Sequence, residues 1–135
     1  MRLIVCLDDR NGMLFGGRRQ SRDCVVCERI SIMTKGYKLW MNAYSSKLFV
    51  DESNICVDEM FLEHAQSDDY CFVEDQEVSS YADKLEKIIV FKWNRHYPAD
   101  KRFPLDLTAA PWRLVETEEF PGNSHEKITM EVYAR

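Results

Sequence analysis

The chain has 135 residues, enough for one domain with a single substantial core. Hydrophobic residues make up 45% and charged residues 30%, the balance of an ordinary globular protein rather than a disordered or fibrous one. Acids and bases are interspersed for a formal net charge of −5, with no basic stripe or polybasic tail, so general nucleic-acid affinity is not expected.

In chain order, Arg2 to Leu7 is a continuous apolar run of strand length and reads as a buried central strand. The run is too short for a signal peptide or a membrane helix, and Asp8 and Asp9 follow it at once. A cytoplasmic protein without a membrane partner is therefore expected. Asp8 to Gln20 reads as a loop, with turn signals at Asn11-Gly12 and Gly16-Gly17. Ser21 is the predicted N-cap of the next helix, with Asp23 in its first turn, where the helix dipole favours a carboxylate. Val26, Ile30 and Met33 share one face of that helix down to a stop at Lys35-Gly36.

Tyr37 to Met41 reads as a second strand, and Asn42 as the cap of a short helix to about Phe49. Asn54 to Val57 is a short third strand, whereas Met60 to Ser67 supports no assignment. Tyr70 to Val73 is a fourth strand, and a helix is predicted from Asp75 to about Asp83. Leu85 to Trp93 is strongly strand-like. Trp112 to Phe120 and Lys127 to Tyr133 alternate around Pro121-Gly-Asn123, which predicts a closing antiparallel hairpin. Strands separated by helices, then a hairpin, imply one α/β domain with a mixed sheet. Such sheets bind ligands at the carboxyl ends of their strands, here Leu7-Asp8-Asp9, Met41-Asn42 and Val73-Glu74-Asp75.

The residues that commonly carry chemistry are scattered. Of the five cysteines, three lie in apolar strand-like runs, which points to buried free thiols in a reducing compartment. Cys24-Val-Val-Cys27 has no second pair or histidine at zinc-finger spacing, and it falls inside a predicted helix, so it reads as structural. His64, His96 and His125 form no HxH, HExxH or HxHxDH, and no GxSxG, Walker loop or GxGxxG exists. Zinc hydrolase and metallo-nuclease chemistry is unsupported. Asp8-Asp9 and Glu74-Asp75 would converge at neighbouring strand ends, either as oxygen ligands for a divalent cation or as solvent-facing acids. Trp40, Trp93 and Trp112 read as core or sheet-face residues.

Several stretches together resemble one family. Leu3-Ile-Val-Cys-Leu-Asp-Asp-Arg-Asn-Gly-Met13 resembles the opening strand and active-site loop of dihydrofolate reductases, and Lys38-Leu-Trp-Met-Asn42 their second strand. Tyr81-Ala-Asp-Lys-Leu85 is similar to the family's Tyr-Ala-Asp-Arg-Leu segment. Tyr97 to Pro104, Trp112 to Glu116 and Met130 to Arg135 resemble its closing portion in order and spacing. The likeness covers roughly two thirds of the chain and implies a dihydrofolate reductase-like mixed sheet with flanking short helices and a C-terminal antiparallel hairpin.

By the same resemblance, Asp23 corresponds to the acid that binds the pterin edge and assists its protonation. Leu7 and Gly12 fall in the strand and loop over the ligand, with Gly12 to Gly17 acting as a lid. Asn42 and Ser45 fall in the turn that grips cofactor phosphates, and Arg18 and Arg19, with Arg22, form a basic cluster suited to an anionic ligand. Asp23 as a dipole carboxylate and the arginines as solvated surface charges are the bland alternatives.

The departures from the family bear on NADPH. Glu74-Asp75 replace the paired glycines that let the cofactor's phosphates approach, Asn42-Ala-Tyr-Ser45 replace a Gly-Arg-Lys/His-Thr turn, and Gly17-Arg-Arg-Gln20 replace Leu-Pro-Trp. The stretch from Ser46 to Ser67 is too short for the usual helix, loop and folate-binding arginine. Carboxylates in place of phosphate-binding glycines disfavour NADPH, so the cofactor stays unassigned and no metal is assigned. Three functions stay open: a module binding a pterin- or nucleotide-type ligand without ordinary reduction, an oxidoreductase with an altered cofactor site, and a homo-oligomeric interaction protein.

Overall fold

The structure is a computed structural model that describes residues 1–50 and 52–135. Strand β1 (Arg2–Leu7) is followed by a small ribbon, β2 (Gly12–Phe15) and β3 (Arg18–Arg19), and by helix α1 (Cys24–Met33). Then come β4 (Leu39–Met41), α2 (Ala43–Ser46), β5 (Ile55–Val57) and α3 (Phe61–His64). Strand β6 (Tyr70–Val73), a 3-10 turn (Ser79–Lys84) and β7 (Lys87–Lys92) precede β8 (Lys101–Arg102), β9 (Arg113–Phe120) and β10 (Ile128–Ala134). Among the described residues, one mixed sheet of seven strands runs in the order β5-β4-β6-β1-β7-β10-β9. Strand β1 is central and parallel to both β6 and β7, while β10 is antiparallel to β7 and β9.

Side chains of successive strand residues point to opposite faces, so each buried strand feeds two cores. Leu3, Val5 and Leu7 join Cys71, Val73, Ile88 and Val90 on one face, where Phe61 and Leu62 of α3 cover them. Ile4 joins Tyr70, Phe72, Ile89 and Phe91 on the other, covered by Val26 and Ile30 of α1. Burial on both faces is why β1, β6 and β7 read as unbroken apolar runs. Each fully buried Leu, Ile, Val or Phe contributes about 1.5–3 kcal/mol relative to exposure.

Several expectations give way, each for a local reason. Asp8 to Gln20 is not an open loop. Leu14 pairs with Arg19 and Phe15 with Arg18 across Gly16 and Gly17, whose φ of 59° and 74° suits a two-residue reversal. Strand β2 also pairs with β8, so the expected lid is a strand tied on both sides. The N-cap of α1 is Asp23 rather than Ser21, since the Asp23 carboxylate accepts the Val25 N–H at 2.9 Å. Cys24 is consequently the first residue of α1, and the Cys-Val-Val-Cys stretch lies within the helix, as expected, in its first turn.

No helix starts at Asp75. Val78 is buried and draws the chain inward, Glu77 ties Ser79, and only the 3-10 turn forms. The unassigned Met60 to Ser67 stretch contains α3. The closing strands pair antiparallel as expected, with Phe120 facing Ile128 and a seven-residue connection, 121–127, between them. That connection docks onto the start of α1.

Candidate functional site

Three strand ends line up at the carboxyl edge of the sheet. At the end of β1, the buried Asp8 side chain accepts from the N–H groups of Gly12 at 2.7 Å, Arg10 at 2.9 Å and Tyr97 at 3.2 Å, and from Gln20 Nε2 at 3.0 Å. Burial raises its proton affinity, but these donors outweigh it and hold the carboxyl below the usual carboxylate range. Asp8 thus fastens the ribbon to the sheet. Gly12 is part of that fastening, because a β-carbon there would stand 2.5 Å from Gln20 Nε2. Leu7 points into the core on the α3 side, away from the mouth described below.

At the ends of β4 and β6, Glu74 is gripped by two elements. Arg19 donates Nε to Oε2 at 2.8 Å and Nη2 to Oε1 at 3.0 Å, and Ser45 Oγ donates to Oε1 at 2.7 Å. Arg19 stacks on the Tyr44 ring at 4.2 Å, which fixes its plane. Asn42 caps α2 by accepting the Ser45 N–H at 2.9 Å, and its amide donates to Asp75 Oδ1 at 3.1 Å. The Lys101 ammonium donates to the Asp75 carbonyl. Glu74 and Asp75 therefore do not stand at a helix N-terminus, where the helix predicted from Asp75 would put them, and are engaged by side chains instead. Asp8, Glu74 and Asp75 each have their own partners, and among the described residues no cluster of three or more such groups is placed to hold a metal ion.

Asp23 sits across the cleft with a fully buried carboxylate. Besides Val25, it accepts the N–H groups of Asn123 at 2.9 Å and Ser124 at 2.8 Å, Ser124 Oγ at 3.2 Å, and His125 Nδ1 at 2.9 Å. Burial works to raise its proton affinity, but these donors, the Asn123 N–H foremost, hold the carboxyl far below the ordinary range. His125 is stacked on Trp93 with ring centroids 4.7 Å apart. Its Nε2 lies 3.0 Å from Ser21 Oγ and 3.2 Å from Tyr97 OH.

The space around these groups is unevenly distributed. Between α1 and the sheet, the deep cleft bounded by Cys6, Asp23, Ile30, Phe72, Glu74 and Trp93 holds only about 10 Å³, room for one water. Its mouth is open. One basin of about 480 Å³ is bordered by Arg22, Cys24, Cys27, Lys47 and Ser124. Another of about 500 Å³ is bordered by Arg18, Arg19, Ser21, Arg22 and Tyr44. Of the residues singled out from sequence, Arg18 and Arg19 border the second basin, Asp23 the first, and Asn42 and Ser45 stand behind Asp75 and Glu74.

Sequence reasoning passed over His125, Tyr97, Tyr44 and Trp93 as site residues. Tyr97 and His125 reach Ser21 across 76 and 104 positions, a proximity that only the sheet order creates. One signal was available: Asn123-Ser-His125 is a polar run between the two closing strands.

No protein-family model matches the chain, and no curated protein matches it in sequence. Among solved structures, it is similar to a dihydrofolate reductase from Enterococcus faecalis complexed with NADP(H) and RAB-propyl, with a TM-score of 0.69 and 12% identity. The match covers 99% of this chain and 95% of that one. The fold is dihydrofolate reductase-like, as the sequence resemblance implied.

Proposed function

We propose that this chain is a small-ligand module on a dihydrofolate reductase-like scaffold. It takes a pterin- or nucleotide-type anion at the open mouth and does not carry out ordinary NADPH-dependent reduction. The observation that carries the reading is the Glu74 carboxylate, which already occupies Arg19 and Ser45, the donors that a phosphate would need. The residues present do not fit NADPH. A cofactor phosphate would have to displace Glu74 and meet its charge, losing charge-assisted bonds worth about 1.5–3 kcal/mol each. A ring system would also have to open a cleft of about 10 Å³.

The mouth, in contrast, has the size of a ligand site, and Arg18 and Arg22 present exposed guanidinium groups to it. Thermal-shift titration with NADPH, NADH, dihydrofolate and nucleotides at low and high salt tests the reading. Ligand at 100 times its dissociation constant adds about 2.7 kcal/mol of stability. A salt-sensitive shift with dihydrofolate or a nucleotide, and none with NADPH, is the expected result. A saturable NADPH shift would replace this reading with that of an oxidoreductase.

A second reading, a homodimer, draws on β9, which pairs only with β10 among the described strands. Its Leu114 and Val115 are 49% and 50% exposed, and a free strand edge is a template for pairing. It requires a melting temperature that rises with protein concentration and no response to any of the small molecules.

A further inference from the structure

We propose that Ser21, His125 and Asp23 form an acyl-transfer site, with Ser21 as nucleophile, His125 as general base and Asp23 as the positioning residue. The geometry is that of an activated nucleophile: Ser21 Oγ to His125 Nε2 is 3.0 Å, and His125 Nδ1 to Asp23 Oδ2 is 2.9 Å. Both distances fall in the range that proton transfer needs. The Asp23 carboxylate stays ionised under its other donors, so it accepts from Nδ1–H and fixes the tautomer whose free lone pair is on Nε2.

Capping α1 and anchoring the 121–127 connection accounts for Asp23 alone. It does not account for the other edge of the imidazole, which faces the half-buried Ser21 hydroxyl at the rim of a basin of about 500 Å³. Trp93 stacks on the ring and holds it in that plane. Tyr97 OH lies 3.4 Å from Ser21 Oγ and 3.2 Å from His125 Nε2, a hydroxyl that would have to turn from the imidazole to donate to an attacked carbonyl oxygen beside the nucleophile.

The step balances without a co-reactant other than water. A lone pair on Ser21 Oγ forms a bond to the acyl carbon of an ester or thioester, and the hydroxyl proton passes to His125 Nε2. The bond from the acyl carbon to the leaving oxygen or sulfur breaks, and the leaving group takes the electron pair and that proton. Water then adds to the acyl-serine and gives its proton to Nε2. The Ser21 Oγ–carbon bond breaks, the proton returns to Ser21, and a carboxylic acid is released.

Arg18 and Arg22 border the same basin, so the substrate class is an ester or thioester bearing a carboxylate or phosphate tail. That preference rests on the anion-binding reading above, whereas the acyl transfer does not. The test uses the full-length protein with an ethoxyfluorophosphonate probe, p-nitrophenyl acetate and p-nitrophenyl hemisuccinate. Intact mass and peptide mapping are expected to place one phosphonyl adduct on Ser21.

Ester hydrolysis is expected to fall at least about 100-fold in Ser21→Ala, the scale of general-base catalysis, at an unchanged melting temperature. With rates referred to the folded fraction measured by circular dichroism, Asp23→Asn is expected to lower kcat and leave KM in place, which a merely structural role would not do. No adduct on Ser21, or equal hydrolysis by the wild type and Ser21→Ala, overturns the proposal even if His125 variants fail to fold. Turnover of the acetate without preference for the hemisuccinate retains the acyl transfer and removes the anionic tail.

Discussion

The Arg19 guanidinium meets the Glu74 carboxylate side-on, through Nε at 2.8 Å and Nη2 at 3.0 Å, and the pair closes the edge of the sheet between β3 and β6. Neither side chain is well exposed, at 19% for Arg19 and 9% for Glu74, so water screens the pair poorly. A carboxylate belonging to the chain is seated where an incoming anion would compete for the same donors.

Replacing Glu74 with Gln keeps the shape and removes the charge. Arg19 then lacks its counter-ion, and stability is expected to fall by about 1–3 kcal/mol. The freed arginine is expected to bind inorganic pyrophosphate at least tenfold more tightly than the wild type does. Urea unfolding and calorimetric titration read the two effects. Unchanged pyrophosphate affinity in a folded Glu74→Gln variant would mean that Glu74 does not occupy an anion site.

Asp23 sets an acid limit. Its folded-state carboxyl is held far below the unfolded value of about 3.9, because the donors around it outweigh its burial. The stability it contributes is fully present above that unfolded value and is lost as pH falls toward the folded one. Melting temperatures taken between pH 6 and pH 2.5 are expected to drop steeply below about pH 4. Asp23→Asn is expected to flatten that drop and to cost about 1.5–3 kcal/mol at neutral pH, the worth of one hydrogen bond to a charged group. An identical acid profile in the variant would assign the drop to other carboxylates.

Gly122 is required by contact. A β-carbon there would stand 2.6 Å from Asp23 Oδ2, 3.0 Å from the His125 carbonyl and 3.1 Å from Ile128 Cγ1. Two of these three neighbours are rigid, the capping carboxylate and a backbone oxygen. Gly122→Ala is expected to cost about 1–3 kcal/mol, as overpacking does, and to loosen the connection from α1. Amide exchange at Asn123 and Ser124 should rise in parallel. A variant as stable as the wild type, with both amides still protected, would refute the close docking.

These three sites also show what the sequence could and could not disclose. The bounds of β1 and β6 were legible because strands buried on both faces are continuous apolar runs. The order of the closing strands was legible through alternation and family likeness. The ribbon Gly12–Phe15 and Arg18–Arg19 was not, because its strands are only four and two residues long and the turn signals at Asn11-Gly12 and Gly16-Gly17 read as loop until β8 pairs with it. Asp23 was identifiable as a residue of interest from its place at a helix start. Its partners were not, since His125 lies 102 positions away and only the docking of the 121–127 connection unites them. Glu74 stood out by type, but its engagement with Arg19 across 55 positions depends on the ribbon folding over the sheet edge.

The cysteines supply a test of the packing around the cleft. All five are free, and Cys24 is the exposed one. Burial, with the nearby Glu74 and Cys24 adding to it, pushes the Cys27 thiol up to about 11, and burial pushes Cys71 up to about 12. Cys6 is raised as well, chiefly by burial. Thiolate is the reactive form, so at pH 8 only on the order of one Cys27 side chain in a thousand is ready to react. Ellman's reagent with the native protein should therefore modify Cys24 first and the half-buried Cys56 more slowly. Cys6, Cys27 and Cys71 are expected to appear only after denaturant is added. Because Cys6 borders the closed cleft and neither open basin, its protection reports on the cleft directly. Native labelling of Cys6 as fast as Cys24 would mean that the cleft opens readily in solution, and a ring-sized ligand would then have a path beside Asp23.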